Sequence, residues 1–245
     1  MKLFWVFAMF LFMAWWVRRD MEAYRRFQAL TDTADRQRVY WLWIVQSFVI
    51  LVGASLVTLW LAGGLGDTFP AAFDPAHRLF RPDHPSESGD AALGMATGAA
   101  LGLTAVIAVQ WRRVRNMLKP AQGTAEALLP RNRQEAAIAL ILSLNAGFSE
   151  ELFFRLALPL ILFQITGSLL AAFALAAIAF GLAHAYQGWK GIAGTMIVGA
   201  FITLVYLSSG SLLRVILLHA AIDVVALVVR PAITKAIARR TFATA

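Results

Sequence analysis

The chain has 245 residues, of which 60% are apolar and 15% charged, and its mean hydropathy is +0.67. Since a soluble domain averages about half apolar and about a quarter charged residues, this composition predicts a polytopic membrane protein. The formal net charge is +8, but the basic residues cluster at the edges of apolar spans, as topology signals do, which argues against nucleic-acid binding. Cysteine is absent, which excludes disulfides, a thiolate nucleophile and a cysteine-based metal site.

The first half of the chain alternates between apolar and polar segments. Residues 3–17 are apolar but shorter than the ~20 residues of a full span, and they predict an uncleaved short span or an interfacial helix. Residues 18–38 carry six arginines and predict a cytoplasmic segment with helical character. Residues 39–62 and 91–110 are predicted spans. Residues 63–90 contain four prolines and predict an irregular outer loop.

Two histidines of that loop, His77 and His84, are expected to be solvated rather than bound to a metal. Residues 111–135 form a basic connector that is expected to lie in the cytoplasm. Four apolar segments joined by short connections follow, at residues 136–166, 169–186, 191–207 and 212–229. The last residues of the chain are again basic and are predicted to be cytoplasmic.

These segments predict an all-α fold, a polytopic membrane bundle of about six or seven transmembrane helices with an additional cytoplasmic helical segment. The predicted domains are an N-terminal membrane region at 1–128, a catalytic helical core at 129–230 and a basic cytoplasmic tail at 231–245.

The apolar segment at 136–166 contains three ionisable residues, Glu150, Glu151 and Arg155. A charge at the centre of a membrane helix costs about 2.5–3.5 kcal/mol even on lenient scales, so such residues usually have a function. Glu151 and Arg155 are four residues apart and share one helix face, where they can form an ion pair. Glu150 points about 100° away and is left without a partner in the motif. The alternative is a buried ion network that only fixes helix packing.

Two more pairs at helical spacing follow, Phe180-xxx-His184 and His219-xxx-Asp223. If these residues meet Glu150 in one cavity, the desolvated Glu150 can act as a general base towards water. His184 can share the proton, while His219 and Asp223 can stabilise an oxyanion. Such a site would belong to a water-activating hydrolase, and the bond cleaved would be an amide. The same types of residue also fit a zinc site of Glu150, His184 and His219, which the sequence leaves open.

The three motifs, in this order and on successive hydrophobic helices, resemble the CPBP family of intramembrane proteases. That family includes the type II CAAX prenyl endopeptidases and proteins of bacteriocin processing or immunity. The similarity covers residues 129–230. It implies that Glu150 activates water, that His184 assists it, and that His219 with Asp223 binds the oxyanion or orients the substrate.

The resemblance also implies that Glu151 and Arg155 hold the helix in place. The family usually has asparagine where this chain has Asp223, and often has glycine where it has Leu156. An aspartate accepts hydrogen bonds unless it is protonated, so the oxyanion role of Asp223 is the least supported of these roles. Because a carboxylate binds metal ions better than an amide does, aspartate in place of asparagine slightly favours a metal-ligand role.

Counting the helical rise from the predicted cytoplasmic ends places Glu150, His184 and His219 at different depths, roughly 22, 9 and 16 Å. The segment with Glu150 therefore has to tilt, kink or protrude to bring them together, and Gly147 is a candidate for the kink. The site is then expected in a cavity of the cytoplasmic half of the membrane.

The sequence thus predicts an intramembrane endopeptidase that acts on a membrane-associated peptide or protein in contact with membrane lipid, and that requires no cofactor unless zinc takes part. The alternatives are a non-catalytic immunity or chaperone-like binding protein and a transporter of protons or small solutes. The short chain without cysteine favours a bacterial inner membrane. The sequence does not identify the substrate or indicate whether it is prenylated.

Overall fold

A computed structural model describes residues 1–80 and 127–235, which form helices and connections without a β-strand. The helices are α1 Lys2–Gln28, α2 Thr33–Ala62, α3 Asp74–Arg78, α4 Arg133–Thr166, α5 Leu169–Ala183, α6 Gly188–Ser209 and α7 Leu212–Lys235. Four of the helical stretches, which contain α2, α4, α6 and α7, are long and apolar enough to cross a membrane, and α5 is a shorter apolar helix. The predicted all-α membrane bundle is confirmed. The predicted span at 91–110, His84, most of the connector and the end of the tail lie outside the described residues.

Four of the described helices begin at polar side chains that cap them. Each cap accepts a hydrogen bond from a backbone N–H of the first turn, which would otherwise lack a partner inside the helix. The caps are Asp32 for α2, Asn132 for α4, Ser168 for α5 and Ser211 for α7. At the other end, α4 stops at Gly167, whose φ of +68° is a conformation that glycine adopts without steric cost.

Helix α1 runs along the full height of the bundle. Near its start, Lys2 Nζ donates to Gln164 Oε1 at 2.8 Å, and Trp5 Nε1 donates to Thr58 Oγ1 at 2.9 Å. Near its end, the Phe27 ring lies 5.2 Å from the Tyr40 ring. The apolar stretch 3–17 is therefore part of one helix that continues through the arginine-rich segment and packs against the bundle. The short span or interfacial helix predicted there stays a prediction.

The end of α1, the start of α2, the start of α4 and the end of α7 lie together, and we call this the basic end. Here the fully buried Arg36 and Glu135 form an ion pair at 3.2 Å. Arg36 Nη2 also donates to Tyr40 Oη and to the backbone oxygens of Ala127 and Leu129. Lys235 Nζ donates to the Pro130 carbonyl at 2.6 Å. These bonds fix the register of α2, α4 and α7 relative to one another.

The loop after α2 packs on the opposite end of the bundle. Phe73 is fully buried there, and His77 donates its Nδ1–H to the Leu207 carbonyl at 2.6 Å. His77 is therefore not the solvated loop histidine that the sequence suggested. Its ring also lies 5.3 Å from the Phe69 ring, so it seals the end of α6.

Helix α4 changes its winding directly after the two glutamates, because Leu152–Ala157 form a π-helical segment. Pro159 lacks an N–H and its ring would clash with the carbonyl of residue 155 in a regular α-helix, and the wider turn relieves that clash. The irregularity of α4 therefore lies after the glutamates and not at Gly147, the predicted kink. Gly147 lies in regular helix, and a Cβ there would come within 2.9 Å of Ala220 N and Ile216 O, so it allows α7 to approach α4.

Candidate active site

The predicted ion pair within α4 is present and fully enclosed. Arg155 Nε lies 3.1 Å from Glu151 Oε2, and the two side chains are 1% and 0% exposed. The geometry is that of an ion pair without aligned hydrogen bonds, since neither Arg155 Nε nor Glu151 Oε2 has a hydrogen-bond partner among the described residues. The guanidinium lies over the Phe180 ring, 4.4 Å from its centroid. Arg155 thus neutralises Glu151 and connects α4 to α5.

Glu151 has a second partner that the sequence reasoning missed. Its Oε1 accepts a hydrogen bond at 2.6 Å from Nδ1 of His219, on α7. Because a carboxylate accepts and does not donate, His219 carries a proton on Nδ1. Its Nε2 faces Asp223 Oδ2 at 3.7 Å, one turn further along α7. The His219 ring is therefore held between two carboxylates, one from α4 and one from its own helix.

Glu150 faces the other imidazole. Its Oε2 is 3.8 Å from His184 Nε2, and this oxygen has no hydrogen-bond partner among the described residues. His184 caps the end of α5 and donates Nδ1–H to the Phe180 carbonyl at 2.8 Å. In the neutral ring Nε2 then carries the lone pair. His184 Nε2 and Glu150 Oε2, which face each other, are therefore both hydrogen-bond acceptors.

The Phe180 ring joins these two groups of residues. Its centroid is 4.8 Å from the His184 ring and 6.0 Å from the His219 ring. Gly199 on α6 leaves room for this ring, since a Cβ at Gly199 would lie 2.7 Å from Phe180 Cδ1. All of the predicted site residues thus lie in one connected set. The sequence predicted different depths in the membrane for Glu150 and His219. In the structure α4 and α7 run side by side from the basic end, where Lys235 Nζ donates to the Pro130 carbonyl, and this brings the two residues to the same level.

A cavity of about 190 Å³ reaches the Glu150–His184 pair, whereas His219 and Asp223 do not line it. Its walls are mostly apolar and come from α1, α2, α4 and α5. The apolar lining includes Met9, Phe12, Met13, Ile50, Leu51 and Phe153. Helices α1 and α2 therefore help to form the site, although the sequence assigned it to the second half of the chain alone.

Asp20, at the polar end of α1, is the ionisable residue that the sequence reasoning missed in this cavity. It lines the cavity together with Glu150 and His184. Burial raises the pKa of its carboxyl to about 6, His184 opposes that shift, and Glu150 adds to it. The spacing of Trp16, Asp20 and Tyr24, four residues apart, could have shown that they share one face of α1.

The described side chains are not grouped as the zinc site that the sequence left open. Zinc ligands lie about 2.0–2.2 Å from the ion, so two ligand atoms are within roughly 3.5 Å of each other. Glu150 Oε2 and His184 Nε2 are 3.8 Å apart, slightly beyond this range. Because Nδ1 of His219 is bonded to Glu151, this ring could bind an ion only through Nε2, which faces Asp223. Within residues 1–80 and 127–235, no three His, Cys, Asp or Glu side chains are grouped to hold a metal ion. The metal-free reaction stays a prediction.

Comparison with known proteins gave a match that covers the part of the chain containing the site. Residues 132–225 match the family model of the type II CAAX prenyl endopeptidase Rce1-like proteins. This range runs from the cap of α4 into α7 and contains every predicted site residue, whereas α1 and α2 lie outside it. No curated protein and no solved structure gave a match. The resemblance drawn from the three motifs is confirmed, since residues 132–225 are similar to the Rce1-like members of the CPBP family.

Proposed function

We propose that this protein is an intramembrane endopeptidase that hydrolyses an amide bond of a membrane-associated peptide or protein, with Glu150 as the base that activates water. The family match supports endopeptidase activity in general. The observation that carries the specific proposal is the position of Glu150. Its Oε2 has no hydrogen-bond partner among the described residues, faces His184 Nε2 at 3.8 Å and lies at the wall of a cavity.

Two facing acceptors suit a water molecule, which has two protons to donate. Water bound between Glu150 Oε2 and His184 Nε2 donates one O–H to each and directs a lone pair towards a carbonyl carbon. When the oxygen attacks, Glu150 takes the proton. Collapse of the tetrahedral intermediate breaks the C–N bond, and Glu150 returns the proton to the leaving amine, so that the products are a carboxylic acid and an amine.

His219 is proposed to stabilise the oxyanion. Since Nδ1 donates to Glu151, His219 can donate to an oxyanion only as an imidazolium, through Nε2–H. The two carboxylates at 2.6 and 3.7 Å neutralise that cation. In this proposal Asp223 orients Nε2–H as an acceptor, a role that does not require the asparagine usual in the family. Glu151 and Arg155 are positioning residues.

The surroundings of the site support a proposal for the class of substrate and for the orientation of the protein. The apolar cavity beside Glu150 fits an apolar peptide segment or an attached lipid better than a free polar peptide. The concentration of arginine and lysine at the basic end favours the cytoplasm for that end. We therefore propose an integral protein of the bacterial inner membrane whose cavity is open on the cytoplasmic side.

The test is cleavage of a panel of apolar peptides, with and without an attached lipid, by the full chain in nanodiscs. Glu150→Gln keeps the shape of the side chain but removes the base, and we expect kcat to fall by about 10²–10⁴-fold. Glu22→Gln is the matched control, because Glu22 is an exposed carboxylate on α1 and should leave kcat unchanged. Equal cleavage by Glu150→Gln and wild type would reject the proposed base.

A metal-free reaction is part of the proposal and is tested separately. Activity should persist after treatment with a chelator, in samples whose zinc content is measured. Loss of activity that returns on adding zinc would overturn the metal-free mechanism. Binding of peptides without hydrolysis would instead favour the non-catalytic alternative, and Glu150-dependent proton flux without hydrolysis would favour a transporter.

A further inference from the structure

One face of α1 lines the cavity that reaches Glu150, and three side chains make up this face. Trp16, Asp20 and Tyr24 are spaced by four residues and all line the cavity that reaches Glu150. Trp16 and Asp20 also line a second cavity of about 360 Å³ between α1 and α2, and so form a wall between the two. Helix α1 lies outside the segment that matches the family, so this face is a feature that the family match does not describe.

Aromatic rings from other elements continue this face. The Tyr24 ring lies 4.9 Å from the Tyr186 ring and 6.3 Å from the Trp43 ring, and the Tyr186 ring lies 6.0 Å from the His184 ring. Trp43 and Tyr186 line the same cavity as Asp20. An aromatic face carries negative charge density, and it attracts an ammonium or guanidinium group within about 6 Å.

The charged side chains that line the cavity are negative, as are the faces of the aromatic rings. The described lining contains the carboxyl groups of Asp20 and Glu150 and one imidazole, but no lysine or arginine, although the chain as a whole has a net charge of +8. Asp20 forms no ion pair with a lysine or arginine among the described residues, and its neighbour Arg19 lies over the Trp15 ring instead. Arg19 and Arg26 line the second cavity and not the one that reaches Glu150. A carboxyl group without an ion pair to lysine or arginine, beside several aromatic rings, is an arrangement suited to an organic cation.

We propose that Asp20, with the rings of Trp16, Tyr24, Trp43 and Tyr186, forms a subsite for an organic cation, and that the lysine or arginine side chain of the peptide substrate occupies it. This deepens the proposed function and rests on it, because it places the cation beside the bond that Glu150 attacks. Asp20 is therefore a residue that determines specificity.

The specificity test uses a peptide that the wild-type protein cleaves, remade with lysine, norleucine or glutamate at each position near the cleaved bond. Norleucine keeps the length of the lysine side chain without its charge. At one position we expect the wild-type kcat/KM to favour lysine over norleucine by at least about tenfold. Asp20→Asn should bring this ratio near one, and Asp20→Lys should favour glutamate.

Glu22→Gln is the control, since this exposed carboxylate of α1 is outside the cavity lining and should keep the lysine preference. A wild-type protein that shows no preference between lysine and norleucine at any position would overturn the subsite. The same holds if Asp20→Asn lowers kcat/KM for all three peptides by the same factor, because that is the effect of a purely structural role.

A binding measurement separates this proposal from the proposed function. We would measure binding of n-butylammonium and of n-butanol by calorimetry to the wild type and to Asp20→Asn. Preferential binding of the ammonium that depends on Asp20 supports the subsite even if no peptide is cleaved, whereas equal binding by both proteins overturns it. A lysine preference that disappears in nanodiscs of phosphatidylcholine but not of phosphatidylglycerol would assign the subsite to a lipid headgroup and overturn the assignment to the substrate.

Discussion

Gly147 is the position at which α4 comes closest to α7, so Gly147→Ala is a direct test of the helix contact that holds the site together. A Cβ on Gly147 would lie 2.9 Å from Ala220 N, Ile216 O and Ala220 Cβ. Two of these atoms belong to the backbone and cannot rotate away. The methyl group is therefore expected to push α7 from α4 by several tenths of an ångström.

The size of the effect follows from two opposing contributions. In a helix interior, replacing glycine by alanine favours the folded state by up to about 1 kcal/mol. Overpacking a closely packed contact costs about 1–3 kcal/mol. Gly194→Ala is the matched control, because it is also within a helix and a Cβ there has no heavy atom within 4 Å. The two variants should thus differ in stability by the overpacking cost, with Gly147→Ala the less stable.

The assay is thermal unfolding of both variants in the same detergent, followed by peptide cleavage in nanodiscs. His219 precedes Ala220, so a displaced α7 should also lengthen the 2.6 Å bond between His219 and Glu151 and lower kcat. If Gly147→Ala unfolds at the same temperature as Gly194→Ala and keeps full activity, the close approach of α4 and α7 is refuted.

Three further variants test other contacts. Glu151→Gln leaves the buried Arg155 without a counterion and should destabilise the protein by about 3–5 kcal/mol, which unfolding measurements would reveal. Gly199→Val should displace the Phe180 ring, which a Cβ would approach to 2.7 Å, and lower kcat without removing an ionisable group; unchanged kcat would contradict this. Since burial raises the pKa of Asp20 from 3.8 to about 6, its ionisation destabilises the folded state increasingly as the pH rises through 3.8, and fully above about 6. Asp20→Asn should therefore raise the unfolding temperature relative to wild type at pH 8 but less at pH 5, and a pH-independent difference would contradict the cause given.

Much of the fold could be predicted because lipid imposes simple rules on the sequence. A span needs about 20 apolar residues, and the predicted segments at 136–166 and 212–229 agree with α4 and α7 apart from a few residues at their ends. The boundary of α1 was harder to predict. Its helix continues into an arginine-rich stretch, and hydropathy does not distinguish a helix that leaves the membrane from one that ends there.

The candidate site was predictable where partners lie within one helix turn. Glu151 and Arg155 share a face in any helix, and the structure has their ion pair at 3.1 Å. The partner of Glu151 on α7 was not predictable, because the distance between Glu151 and His219 depends on how two helices pack. That packing depends on Gly147, which the sequence suggested as a kink and which instead forms a contact.

The amino-acid sequence alone indicates which residues lie in apolar helices and which of them carry charge, because the cost of burying a charge marks such positions without any knowledge of the fold. It also indicated a resemblance to a family, through three short motifs of fixed order. The contact of Glu150 with His184, the bond of Glu151 to His219 and the position of Asp20 at the cavity come from the tertiary structure instead. These are contacts between residues far apart in the chain, and they depend on helix packing and on the winding of α4 before Pro159, which local spacing does not specify.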